Sequence, residues 1–118
     1  MTDEPSKYRG YVLPLLPGHF RALREGAGLS QASLAQWADV ADRSVRRWDA
    51  SHRAPEKVGR FVVDRWLDVC AMAADTVALA PGDGPVLLLT GGTDEERAVT
   101  RLAMYEFERA GRTVRLTE

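Results

Sequence analysis

The chain has 118 residues, 45% of them hydrophobic and 28% charged, with a formal net charge of −1. That is the composition of one globular domain, or of one small domain with an accessory element, and it excludes disordered, collagen-like and low-complexity chains. A lone cysteine, Cys70, excludes an internal disulfide framework and fits a reducing compartment, and a charge this near zero excludes a uniformly basic nucleic-acid coat.

Residues 1–16 hold Pro5 and Pro14, show no helical period and read as an extended arm. Lys7, Tyr8, Arg9 and Tyr11 suit contact with a phosphate backbone; the alternative is that Tyr11 and Leu13 pack on the core. The apolar run of residues 11–16 contains Pro14 and is not flanked like a secretory signal, and no segment is long enough to span a bilayer. The expected location is cytoplasmic. Pro17 suits the first turn of a helix, where its missing N–H costs nothing. Phe20 and Leu23 line one face of that helix, which ends around residues 26–28.

Ser30 is a good N-cap for a second helix, with Leu34, Ala35 and Ala38 on its buried face and a stop near Asp39. A third helix over residues 42–49 turns Val45 and Trp48 inward, and Pro55 marks the next break. A long amphipathic helix over residues 56–78 carries Val58, Phe61, Val62, Trp66, Val69, Cys70, Ala73 and Val77 on one stripe. The Pro81-Gly82-Asp83-Gly84-Pro85 segment is a linker. Beyond it, Val86-Leu87-Leu88-Leu89 reads as a buried strand and Thr93 with Glu96 as a capping box. Gly111 reads as a helix stop and residues 113–117 as an alternating strand.

The charge is unevenly spread. Residues 43–65 hold seven basic and three acidic side chains, whereas residues 81–118 hold five basic and seven acidic. The first stretch suits phosphate neutralisation and the second does not.

Two short helices joined by a tight turn, the second rich in arginine, suggest a DNA-reading unit. The residues are more specific than that. Leu29-Ser30-Gln31-Ala32-Ser33-Leu34-Ala35 opens the unit, Ser44-Val45-Arg46-Arg47-Trp48-Asp49 closes it, and Arg53-Ala54-Pro55 follows. Over residues 20–55 this resembles the lambda-repressor-like (Cro/C1, XRE) helix-turn-helix family. The implied fold class is mainly α: a five-helix DNA-binding domain over residues 17–80, then a small β-α-β dimerisation element over residues 81–118.

The resemblance implies that Asp42, Arg43 and Arg47 contact bases, arginine being able to bond guanine O6 and N7 together. Gln31, Ser44, Arg46 and Arg53 would contact phosphates, and Arg24 with Asp49 would form an internal salt bridge. Asp42 can instead cap the third helix. The other reading of Arg46 and Arg47 is a solvated helix face. Three positions depart from the family: Asp39 where glycine usually makes a left-handed turn, Ala50-Ser51 in place of Asn-Gly, and Trp37 at a usually solvated site. Trp37 reads either as an interdomain or dimer contact or as packing on the long helix.

Two strands and one helix form a poor core alone. Residues 86–90 and 113–117 are therefore expected to pair with the same strands of a second chain in a larger sheet, with Val86, Leu88, Val114 and Leu116 at the homodimer interface and the stripe of the long helix available to join it. The expected partner is an inverted-repeat operator in double-stranded DNA, with no cofactor, metal or membrane. The layout also resembles, more distantly, phage anti-CRISPR-associated autorepressors, which implies repression of the chain's own operon. The alternative is an antitoxin that binds a protein partner. No enzyme is expected: Thr90-Gly91-Gly92-Thr93 lacks a P-loop lysine, and His19, His52 and Cys70 lack metal-ligand spacing.

Overall fold

The structure, a computed structural model, describes residues 7–117. The remaining residues of the expected arm, 1–6, and Glu118 of the C-terminal element lie outside them. The elements run α1 (Pro17–Gly26), α2 (Gln31–Ala38), α3 (Asp42–Ala50), α4 (Glu56–Ala78), β1 (Val86–Leu89), α5 (Asp94–Arg109) and β2 (Val114–Thr117). The described residues are thus mainly helical. Four helices, rather than the expected five, precede the first strand; the fifth lies between the strands.

Local chemistry sets most boundaries. Pro17 occupies the first turn of α1. The Ser30 hydroxyl accepts the Ser33 N–H at 3.0 Å at the start of α2, and Thr93 does the same for Glu96 at the start of α5. Helix α1 ends in a Schellman motif, with the Gly28 N–H on the Glu25 carbonyl and the Leu29 N–H on the Arg24 carbonyl, both at 3.0 Å. Gly28 takes the left-handed conformation this ending needs, at φ +73. At the end of α2 the same bonds run from Asp39 to Gln36 and from Val40 to Ala35. Here Asp39 is left-handed, at φ 57 and ψ 50. The turn that usually needs glycine is therefore kept, on a residue whose short polar side chain tolerates it.

A first core gathers Leu15, Phe20, Leu34, Val45, Val58 and Val62 from α1 to α4 and the segment before them. Tyr8, Tyr11 and Leu13 pack against it. The segment of residues 7–16 thus packs Tyr11 and Leu13 on the core, the second of its two readings, while Lys7, Arg9 and Val12 stay exposed. A second core sets Val86 and Leu88 of β1 and Ala103 and Phe107 of α5 on Ala73 of α4. Between the two, Ala27, Val69 and Ala98 join the end of α1 to α4 and α5. Helix α4 is the shared spine. The stripe available to a second chain is largely covered by the chain's own elements, with Val58, Val62, Val69 and Ala73 buried and Phe61, Trp66, Cys70 and Val77 half-buried.

Strands β1 and β2 pair in parallel, Val86 opposite Val114 and Leu88 opposite Leu116. Helix α5 makes the crossover that a parallel pair requires. Burial along β1 alternates, with Val86 and Leu88 inward and Leu87 and Leu89 outward. This corrects the expected dimer contacts: Val86 and Leu88 are consumed by the core of their own chain, and Val114 packs half-buried beside them. Of the four, only Leu116 is exposed.

Candidate nucleic-acid interface

Helix α3 divides sharply. Val45 is fully buried, and Trp48 lies edge-on to Phe20 with ring centroids 6.1 Å apart. The i, i+3 and i+4 spacing puts Arg43, Arg46 and Arg47 together on the opposite, exposed face. None of these three, nor Arg53 in the exposed segment after α3, has an ion-pair partner among the described residues. Elsewhere most arginines are engaged, the exposed Arg9 and Arg115 apart. Arg21, Arg60, Arg65, Arg97 and Arg109 pair with Glu25, Glu56, Glu95, Asp94 and Glu106. Arg101 and Arg112 donate to main-chain carbonyls.

Asp42 does not cap α3. Ala41 holds the cap position with no side-chain bond, and Asp42 is the first helical residue, exposed beside the helix N-terminus. Ser44 is half-buried on the flank, its N–H bonded to the Ala41 carbonyl at 2.9 Å.

The orientation of this helix is held by a polar knot. Arg24 Nε donates to Asp49 Oδ1 at 3.0 Å and Nη2 to Oδ2 at 2.7 Å, while Nη1 reaches the Leu29 carbonyl at 2.7 Å. The two side chains are 8% and 7% exposed. Gln31 Nε2 donates to the same Asp49 Oδ2 at 2.9 Å. One carboxylate at the end of α3 therefore fixes α1, the turn after it and the start of α2. The Gln31 side chain, expected on a phosphate, is already engaged by Asp49 through its amide N–H. Its carbonyl oxygen cannot donate to phosphate, so any phosphate contact there falls to its second amide proton or to the main-chain N–H groups opening α2.

Trp37 packs on the long helix, stacked on Phe61 with centroids 3.8 Å apart and planes 14° apart. The Lys57 ammonium sits 5.9 Å from the Trp37 ring centroid. Nearby, the Tyr8 hydroxyl donates to Asp64 at 3.0 Å, and Lys7 pairs with the same carboxylate at 3.0 Å. Two of the cationic and aromatic groups expected to be free for phosphate are thus held against α4. The sequence offered no signal for the Tyr8–Asp64 contact, which spans 56 residues.

Nothing in the structure indicates an enzyme. Among the described residues no group of three His, Cys, Asp or Glu side chains can hold a metal. His19 stacks on Tyr11, and His52 Nδ1 lies 2.8 Å from Ser51 Oγ. Burial and the Glu106 carboxylate push the Cys70 thiol up, away from a reactive thiolate. A cleft of about 560 Å³ opens beside Gly91 and Thr93, but Asp75, Glu95 and Glu96 line it. Three carboxylates repel a phosphate, so the glycine turn does not suit a nucleotide. No helix of the described residues is long and apolar enough to cross a membrane.

Comparison of the chain with protein-family models, curated proteins and solved structures yields no match.

Proposed function

We propose that α2 and α3 form a helix-turn-helix of the lambda-repressor type and that the protein is a sequence-specific transcriptional repressor. It would bind an inverted-repeat operator as a homodimer and control its own operon. One observation carries the reading: α3 presents Arg43, Arg46 and Arg47 on a single exposed face, unpaired, while most other arginines of the chain are engaged. Leaving several guanidinium groups unneutralised side by side is unfavourable unless a polyanion receives them.

In this reading α3 enters the major groove. Arg43 and Arg47 read guanine edges, Asp42 accepts from a cytosine amino group, and Ser44, Arg46 and Arg53 hold phosphates. The Arg24–Asp49 bond and the left-handed Asp39 turn set the angle between α2 and α3. The experiment is selection of bound fragments from a random DNA pool followed by footprinting. Protection of an inverted repeat with half-sites about 34 Å apart is the expected result; no enrichment over the input pool would refute it.

A further inference from the structure

Strand β1 is paired along one edge, and the sheet has no third strand among the described residues. On the paired edge the Val86 N–H bonds the Thr113 carbonyl at 2.9 Å and the Thr90 N–H bonds that of Thr117 at 2.8 Å. Alternate residues of a parallel ladder send their main-chain groups to opposite edges, so those of Leu87 and Leu89 face away from β2. The Thr100 hydroxyl donates to the Leu89 carbonyl at 3.2 Å, which leaves that oxygen a second lone pair.

Beside the unpaired edge runs a groove of about 380 Å³ lined by Leu79, Ala80, Leu87 and Leu89. Leu79, Leu87 and Leu89 are 85%, 67% and 72% exposed. Through Thr76, Leu89, Val99 and Thr100 the groove passes into the cleft of about 560 Å³ beside Gly91. The apolar end thus gives way to an acidic one. Asp75, Glu95 and Glu96 line the cleft, and none of its described lining residues is basic. Arg65 neutralises Glu95. Asp75 and Glu96 have no ion-pair partner among the described residues. The start of α5 adds a partial positive charge of about half an elementary charge, too little to offset two free carboxylates.

We infer that a basic amphipathic segment of another protein adds as a strand to the open edge of β1. Its apolar side chains would lie on Leu79 and Leu87, and its lysines or arginines beyond Leu89 on Asp75 and Glu96. The inference goes beyond the proposed function and does not rest on it, because no residue of α3 takes part.

Three features select this occupant. An added strand gives the main-chain groups of Leu87 and Leu89 partners, while its alternate side chains fill the groove. Cationic residues complement the two free carboxylates, whereas an acidic segment is repelled. A second copy of this chain would bring residues 84–93 to the edge, and these carry no charge to offer Asp75 and Glu96. A small organic cation would meet the carboxylates but leave the leucines bare. Small-molecule sites enclose most of their ligand, and side chains as exposed as Leu79 and Leu89 enclose nothing.

The test uses the full chain without DNA. The probe is a short synthetic peptide of alternating valine and threonine with two lysines at each end, so that either direction of pairing brings a lysine pair to the cleft. Its twin carries glutamates in place of the lysines. Titration followed by amide NMR is expected to show saturable binding of the lysine peptide below about 1 mM, in the range of weak transient contacts. Amide exchange is expected to slow at the Leu87 and Leu89 N–H groups in the complex. The glutamate peptide is expected to bind at least fivefold more weakly. Asp75→Asn/Glu96→Gln, at exposed positions, is expected to keep the circular dichroism and to abolish that preference. Leu79→Ser is expected to weaken both peptides about threefold, through lost apolar burial.

Four outcomes would overturn the inference. The lysine peptide does not saturate, or it binds no better than its twin. The carboxylate variant keeps the preference unchanged. Spermine binds as tightly as the peptide and leaves Leu87 and Leu89 unprotected, which makes the cleft a small-cation site. The chain without peptide already protects both N–H groups and scatters light at twice 13.0 kDa, which gives the edge to a second copy.

Discussion

Gly28 and Asp94 meet backbone to backbone. A Cβ on Gly28 would lie 2.5 Å from the Asp94 carbonyl oxygen and 3.1 Å from the Ala98 Cβ. The turn that ends α1 is thereby seated on the first turn of α5. The Arg65–Glu95 ion pair and the Arg101 bond to the Glu25 carbonyl close the same seam. The C-terminal strand–helix–strand unit is thus bolted to the helices before it.

Gly28→Ala should therefore destabilise the protein by about 2–5 kcal/mol, combining a left-handed penalty of about 1–2 kcal/mol with over-packing of about 1–3 kcal/mol. Gly82→Ala, at φ +101 with nothing within 4 Å, carries only the conformational part. Urea denaturation of the two variants measures the difference; equal losses would mean that the seam does not hold.

Asp49→Ala strands a buried guanidinium. The loss should be about 3–5 kcal/mol, the range for removing one partner of a buried pair. Converting both residues, Arg24→Met with Asp49→Leu, should cost less than Asp49→Ala alone, because no charge then remains buried. A double-mutant cycle on chemical denaturation checks this.

Arg43→Ala and Arg47→Ala should leave stability within about 0.5 kcal/mol, since both side chains are exposed and unpaired. Each should weaken binding to the selected DNA by about 1–3 kcal/mol and relax preference at one base pair. Arg46→Ala and Arg53→Ala should instead weaken all sequences alike and lower the salt slope by about 1. Titrations at several salt concentrations distinguish the two pairs.

Asp39→Gly should raise stability by about 0.5–1 kcal/mol, because glycine adopts the left-handed conformation freely. Asp39→Val should lower it by about 1–2 kcal/mol. Thermal melting of both variants, expected to move in opposite directions, is the check.

Cys70 should alkylate more slowly at pH 8 than a free cysteine. Its raised pKa lowers the thiolate fraction at that pH, and half-burial limits access. Urea should restore the ordinary rate as the helix opens. A native rate equal to the unfolded one would show the thiol to be exposed.

Much of the fold is legible one turn at a time. Pro17, Ser30, Thr93 and Gly111 act through their own main chain within a few residues, so the element boundaries follow from their order along the chain. The inward positions of α3 follow from a 3.6-residue period, and the Arg24–Asp49 pair is expected only from a resemblance. Strand β1 is different. Val86-Leu87-Leu88-Leu89 is apolar at every position, so no alternation tells which face turns inward. Packing against Ala103 and Phe107 makes that choice, and it reverses the side chains expected at a partner. The seating of α5 on Gly28 is equally silent in the sequence, because it depends on a close approach between segments more than 60 residues apart. Local main-chain chemistry thus dictates where the helices start and stop and which α3 side chains face outward. Contacts between distant segments dictate which face of the sheet is spent inside the chain and which is left exposed.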